Sequence, residues 1–350
     1  MIVYWSACIA SVFIAYLYSV YPNGQKNKRM FVFFAALPLL LISALRYGVG
    51  EDYFSTYVSY FETVRYGYDT DTTRLELIFH LLNEGVILLG SDYELMFAIC
   101  AILFILPVFA QIFEDSPYPA LSIFCLVTMG YLFVFFNAMR QMVGCAVLLY
   151  SIRYIQQKRF LPFAACVAIA SGFHVSCLVF ICMYWVGRIR IPPVVALIMT
   201  VCIVVSKEAI TALLQHIISM TPYAIYFSSI FDNGQTAYVM LAINAVLLIF
   251  SSVFYHKDRK YQLYYNLQIL ALWITIYSGS IVLFLRLLWP FGLPSIIMLP
   301  LAAERVPKER DRKLIMAAVV LLYFFYMNYT VGVQNSNSVL PYQTVFSRWL

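Results

Sequence analysis

Charge is what this sequence has least of. Only 11% of its 350 residues are Asp, Glu, Lys or Arg, against about 25% in a typical soluble domain. Hydrophobic residues make up 63%, and the mean hydropathy is +0.82. No water-soluble fold hides that much apolar surface, so the scarcity of charge excludes one and makes lipid the solvent. The apolar residues come in long uninterrupted runs, which points to helices rather than the alternating strands of a barrel.

Paired cysteines are also missing. The eight cysteines (Cys8, Cys100, Cys125, Cys145, Cys166, Cys177, Cys182, Cys202) all lie inside apolar stretches. There is no C-x-x-C and no Cys/His spacing suited to a metal, so they read as small hydrophobes within helices, with no metal site or cofactor expected. The sequence shows no repeat, no low-complexity tract and no separable soluble part, which predicts a single polytopic membrane domain over residues 1–350. The first apolar run, 2–20, lacks a basic leader and an A-x-A site and reads as an anchor helix. A net charge of +6 does not imply nucleic acid, because the basic residues gather in short loops between apolar runs. That is the signature of loops retained on the cytoplasmic side.

Apolar runs fall at about 2–20, 30–46, 93–113, 118–137, 141–156, 160–172, 173–187, 192–212, 236–255, 262–283, 285–303 and 313–332. The basic loops QKNKR, QQKR, GRIR, HKDRK and ERVPKERDRK, with Arg153, hold 16 of the 23 Lys and Arg residues. Placing all of them in the cytoplasm predicts about twelve transmembrane helices with both termini outside. Two stretches are decided by that constraint. Residues 160–186 become a tight hairpin turning near His174. Residues 73–90, with Glu76, His80, Asn83 and Glu84 among helically spaced apolar residues, read as an amphipathic helix at the outer interface. The fold expected is an all-α integral membrane protein with an outer loop region at 46–92 and a further outer loop at about 213–235. Nine of the 17 acidic residues fall between 46 and 94.

Seven cations are left unexplained by topology, and three of them border apolar runs at the expected outer face. Arg46 ends the second run, Arg140 sits in FFNAMRQM and Arg286 in LFLRLLWP. Arginine at the edge of hydrocarbon is costly and is held by a partner or a ligand. A permanently charged, forked guanidinium suits phosphate oxygens, and a pyrophosphate at the lipid–water boundary is a matching ligand. Asp52 and His174 are candidate general bases for a hydroxyl, His174 being favoured because an imidazole titrates nearer neutral pH. The plainer readings stand beside these. Arg46 and Arg286 can also be read as interfacial anchors, Arg140 as a partner of Asp92 or Glu51, His174 as a structural group, and Gly48 and Gly50 as helix terminators. Asp69 and Asp71 look like a D-x-D metal motif but suit a solvated turn.

These residues carry a resemblance. ALRYGVGEDYFSTY (44–57), FNAMRQMVGCAVLLYSIRYIQQKRF leading into ASGFHVS, LRLLWPF at 285–291 and N-x-x-x-P-Y at 337–342 together resemble the EpsG/Wzy-type polysaccharide polymerases of bacteria. The resemblance implies a GT-C-like glycosyltransferase architecture in the cytoplasmic (inner) membrane, with the active site facing the periplasm or outside. It implies a metal-independent enzyme that moves a growing glycan from undecaprenyl pyrophosphate onto the non-reducing end of an incoming lipid-linked oligosaccharide. The implied partners are that lipid-linked substrate, membrane lipid and a chain-length regulator protein, with no nucleic acid. Carried over by motif, Arg46, Arg140 and Arg286 hold the pyrophosphate and Asp52 or His174 takes the proton. Tyr53, Asn137 and Gln141 shape the pocket, and Tyr342 contacts substrate. Glu51 beside Asp52 leaves the identity of the catalytic carboxylate open.

The alternatives are an O-antigen ligase-like transferase and a transporter or flippase of the same lipid-linked sugar. A ligase carries a larger late external loop, and a transporter carries mid-membrane charge and repeat symmetry. An O-acyltransferase also uses an intramembrane histidine, but has no evident need for three external arginines. A purely structural subunit leaves those arginines unexplained.

Overall fold

The computed structural model describes residues 1–21, 24–68, 76–220, 234–278, 280–281 and 283–349. Among them the regular structure is helical, and the nearest approach to a strand is one antiparallel bridge between Arg46 and Thr344. Among the described residues four helices are long and apolar enough to cross a membrane alone: α1 (Ile2–Val20), α5 (Tyr93–Asp115), α11 (Pro193–Ser219) and α16 (Glu309–Met327) with the π turn Asn328–Val333 that continues it. Two bent pairs meet the same test together. They are α6 (Pro119–Thr128) with α7 (Tyr131–Asn137), bent by 48°, and α14 (Leu283–Gly292) with α15 (Ser295–Glu304), bent by 43°. Pro290 and Pro300 lie inside the second pair. A proline deletes a backbone hydrogen bond and breaks the helix line, and neighbouring helices make such breaks tolerable within lipid.

The remaining helices are α2 (Lys28–Ala44), α3 (Ser59–Tyr66), α4 (Leu77–Leu88), α8 (Met139–Gln156), α9 (Phe160–Phe173), the short α10 (Met183–Val186), α12 (Gly234–Val253) and α13 (Arg259–Ser278). Burial sorts them into centre and rim. Over its most apolar stretch α5 is 56% buried and α11 only 11%. α8 and α13 are buried on nearly every face, whereas the exposed side of α11 is a row of valines, leucines and isoleucines. An exposed face of that kind is stable only against lipid.

The expected hairpin over 160–186 is present as α9, a turn at His174, a 3₁₀ helix (Val175–Cys182) and α10. The amphipathic helix is α4, which buries Phe79, Asn83 and Val86 at helical spacing and exposes Leu77, Leu81 and Leu88. Residues 69–75, with Asp69 and Asp71, and most of the expected outer loop at 213–235 lie outside the described residues.

The bundle has two chemically distinct ends. At one, Asp115 at the close of α5 accepts hydrogen bonds from Gln111 (2.6 Å), Gln156 (2.9 Å) and the Tyr264 hydroxyl (2.8 Å), and pairs with Lys260 at 3.2 Å. This network ties the ends of α5 and α8 to the start of α13, and a buried carboxylate is tolerable there because every partner is in place. At the other end, α2 stops, α8 begins and the hairpin turns.

Candidate functional site

α2 ends at Ala44 because the next residues leave helical geometry and pair with the far terminus. Tyr47 N donates to Gln343 O (2.9 Å), Val345 N to Leu45 O (2.9 Å) and Gly50 N to Ser338 O (3.1 Å). Gly50 then turns with φ +104°, and a Cβ there would stand 2.6 Å from Asn137 Oδ1 and 2.9 Å from Phe136 O. Only glycine fits that backbone so close to α7. Gly50→Ala should therefore destabilise the protein by about 2 kcal/mol or more, from backbone strain and the forced shift of Asn137. The check is thermal unfolding of the purified protein against wild type.

Beyond this turn a cleft of about 270 Å³ opens, lined by Asp52, Thr56, Tyr57, Ala138, Arg140, Gln141, His174, Arg286 and Trp289. Five of the site residues expected from sequence meet here, carried by the post-α2 turn, the start of α8, the α9 turn and α14. Arg286 Nη1 lies 3.4 Å from His174 Nε2. His174 Nδ1 is 2.8 Å from Ser176 Oγ and 3.3 Å from the Ser176 amide. Gln141 donates from Nε2 to Ser176 Oγ (2.8 Å) and to the Arg286 carbonyl, so it knits α8, the hairpin and α14 together. Arg140 pairs with Glu76, not with Asp92 or Glu51 as one reading of the sequence had it. Asp92 pairs instead with Arg65 at 3.4 Å.

The two candidate bases have shifted in opposite directions. Burial raises the Asp52 carboxyl above its ordinary range, opposed by the Thr56 hydroxyl (3.4 Å); Glu51 adds to the rise while Arg286 and Arg140 counter it. At the turn, burial holds the His174 imidazole below its usual range. Glu76 pulls it up, and Arg140 and Arg286 push it further down. A base needs its lone pair at working pH, and both shifts are the work of a cleft removed from water.

Five expected site residues stand outside the cleft lining. Arg46 is 1% exposed and points into the core beneath it. Its Nη1 donates to Val49 O (2.6 Å) and Phe136 O (2.8 Å), and its guanidinium lies 4.6 Å from the Phe136 ring and 4.9 Å from that of Phe97. Tyr53 is fully buried and stacks on Phe97 with centroids 4.2 Å apart. Asn137 is a staple: its Oδ1 accepts from Glu51 N (2.8 Å), and its Nδ2 donates to Asn337 O (3.1 Å). Glu51 itself is exposed and accepts from Ser338 Oγ at 3.1 Å. The Tyr342 hydroxyl donates to Ile42 O (3.1 Å), holding the tail against α2.

Some members of the site carry no signal in the sequence. The Tyr57 hydroxyl donates to Asn137 O (2.5 Å) and accepts from Met139 N (2.7 Å), bridging the break between α7 and α8. α8 has no side-chain cap. Its first turn therefore presents the backbone donors of Arg140 and Gln141, both cleft-lining residues, at the positive end of the helix dipole. Arg140 Nε is buried and has no hydrogen-bond partner among the described residues. Thr56 and Trp289 sit inside quoted motifs, but nothing in their spacing marks them.

Comparison with family models matches the chain over residues 29–344 to the model described as the EpsG family. Searches of curated proteins and of solved structures return no match.

Proposed function

The chain belongs to the EpsG family, a membership that points to a polysaccharide polymerase role, and we propose that it moves a growing glycan from undecaprenyl pyrophosphate onto the non-reducing end of an incoming lipid-linked oligosaccharide. In this reading it is a single GT-C-like domain with about twelve crossings of the bacterial cytoplasmic membrane, and the cleft faces outward. The observation that carries the reading is the meeting of Arg140, Arg286, Asp52 and His174 in one cleft from four separate parts of the chain.

The acceptor hydroxyl attacks the anomeric carbon, and the bond from that carbon to the pyrophosphate oxygen breaks. The leaving pyrophosphate takes the electron pair and gains one negative charge, while the base takes the hydroxyl proton. Arg140, Arg286 and the first amides of α8 stabilise that developing charge. Preorganised donors favour the transition state over the ground state because the charge grows during the reaction.

We assign the base to Asp52. His174 has Ser176 against one ring nitrogen and Arg286 near the other, and its lowered pKa removes the advantage of an imidazole near neutral pH. A carboxylate with a raised pKa is a stronger base. The pH profile alone does not separate the two, because one pKa rises from the carboxylate range and the other falls from the imidazole range, toward each other. Substitution does. With purified protein and a defined lipid-linked repeat unit, Asp52→Asn should lose about 10²–10⁴-fold in rate, while His174→Ala retains measurable polymer. For wild type, activity is expected to fall as pH drops through the raised Asp52 pKa. Polymer formation by Asp52→Asn at the wild-type rate, or complete loss in His174→Ala alone, would transfer the role to His174.

A further inference from the structure

The cleft lining holds two guanidinium groups, and the carboxylate bound directly to one of them is not part of the lining. Glu76 opens α4 and pairs through Oε2 with Arg140 Nη1. Its other oxygen, Oε1, accepts from Val175 N at 3.3 Å, the residue next to His174. Both side chains are mostly buried, at 14% exposure for Arg140 and 21% for Glu76. α4 packs closely on α9 here: a Cβ on Gly172 would lie 2.5 Å from the Ile78 side chain. Glu76 thus bridges the arginine and the turn.

We propose that Glu76 is the positioning residue of the phosphate clamp: it is the resident counter-ion of Arg140, orienting the guanidinium toward the cleft until an anion competes for it. The inference rests on the reading of Arg140 as a phosphate ligand. Its logic is charge balance. Among the described residues, Asp52 feels both arginines and Glu76 pairs with Arg140, so an incoming anion competes with carboxylates already beside those guanidinium groups. Asp52 hydrogen-bonds Thr56, whereas Glu76 holds Arg140 itself. A bound pyrophosphate competes with Glu76 for the Arg140 guanidinium and weakens the ion pair. Glu76 therefore opposes substrate binding while making the clamp ready for the transition state.

The test is Glu76→Gln in the full chain, reconstituted in lipid, with inorganic pyrophosphate as the binding probe and a lipid-linked repeat unit as substrate. Removing the carboxylate charge should tighten pyrophosphate binding on the order of tenfold and lower kcat by a similar factor, with KM falling rather than rising. Glu76→Asp, which keeps the charge on a shorter arm, should restore wild-type pyrophosphate affinity. A purely structural role lowers thermal stability but does not tighten binding of an anion. Wild-type pyrophosphate affinity and kcat in Glu76→Gln would overturn the proposal and leave the clamp standing. Absence of pyrophosphate binding in wild type would overturn the clamp, and this inference with it.

Discussion

Arg140→Ala and Arg286→Ala should each abolish long-chain polymer while the protein remains in the membrane at near wild-type level. Both side chains line the cleft, and neither is fully buried, so their loss leaves no large cavity in the core. Their main cost falls on the reaction, with a smaller one in stability where Arg140→Ala leaves Glu76 without its cation. Removing one preorganised donor from a site that stabilises developing negative charge costs about 10²–10³-fold in rate, and a polymer needs many successive transfers. Even a modest loss per step therefore removes the long products first. Lysine replacements should be intermediate, because an ammonium keeps the charge but not the forked geometry. The measurement is the polymer ladder on a gel beside an immunoblot of the membrane fraction. A normal ladder from both alanine variants would end the pyrophosphate-clamp reading.

Arg46 and Arg140 show where reading the sequence stops. Both are arginines at the edge of an apolar run, and a one-dimensional pattern treats them alike. Such a cation has two physical solutions: to face a polar ligand, or to turn inward onto backbone carbonyls left over at a chain break. Arg140 lines the cleft and pairs with Glu76, while Arg46 turns inward, where the turn at Gly48 to Gly50 brings the carbonyls of Val49 and Phe136 to its guanidinium. That choice depends on how α7 stops, which is tertiary information. Apolar runs, the hairpin at His174 and the convergence of Arg140, His174 and Arg286 were legible because lipid leaves few ways to arrange charge. Glu76 was not legible. It is one of nine acidic residues in a polar region, and its partner lies 64 residues away. Asn137, expected to shape the pocket, ties the tail to the turn, and Tyr342, expected to contact substrate, ties it to α2. A motif preserves such residues equally well for framing a site as for touching substrate.

This difference makes Arg46 the sharpest test of the arrangement. Arg46→Ala should fail chiefly by destabilising the protein. It leaves the Val49 and Phe136 carbonyls buried without a donor, at about 1–3 kcal/mol each. It also removes a cation stacked against Phe97 and Phe136, and empties the volume of a large side chain in the core. A loss of roughly 3–5 kcal/mol on these grounds is a large part of the total stability of an ordinary fold, about 5–15 kcal/mol. Arg46→Met fills most of the volume but still orphans the carbonyls, so it should recover only part of that loss. Arg140→Lys keeps a cation beside Glu76, so it should melt close to wild type while making little long polymer. Thermal unfolding of the three purified variants, set beside their polymer ladders, separates a residue that holds the floor of the site from one that works inside it. If Arg46→Ala melted like wild type yet made no polymer, Arg46 would be a substrate ligand, and the inward-facing guanidinium would have to turn toward the cleft during the reaction.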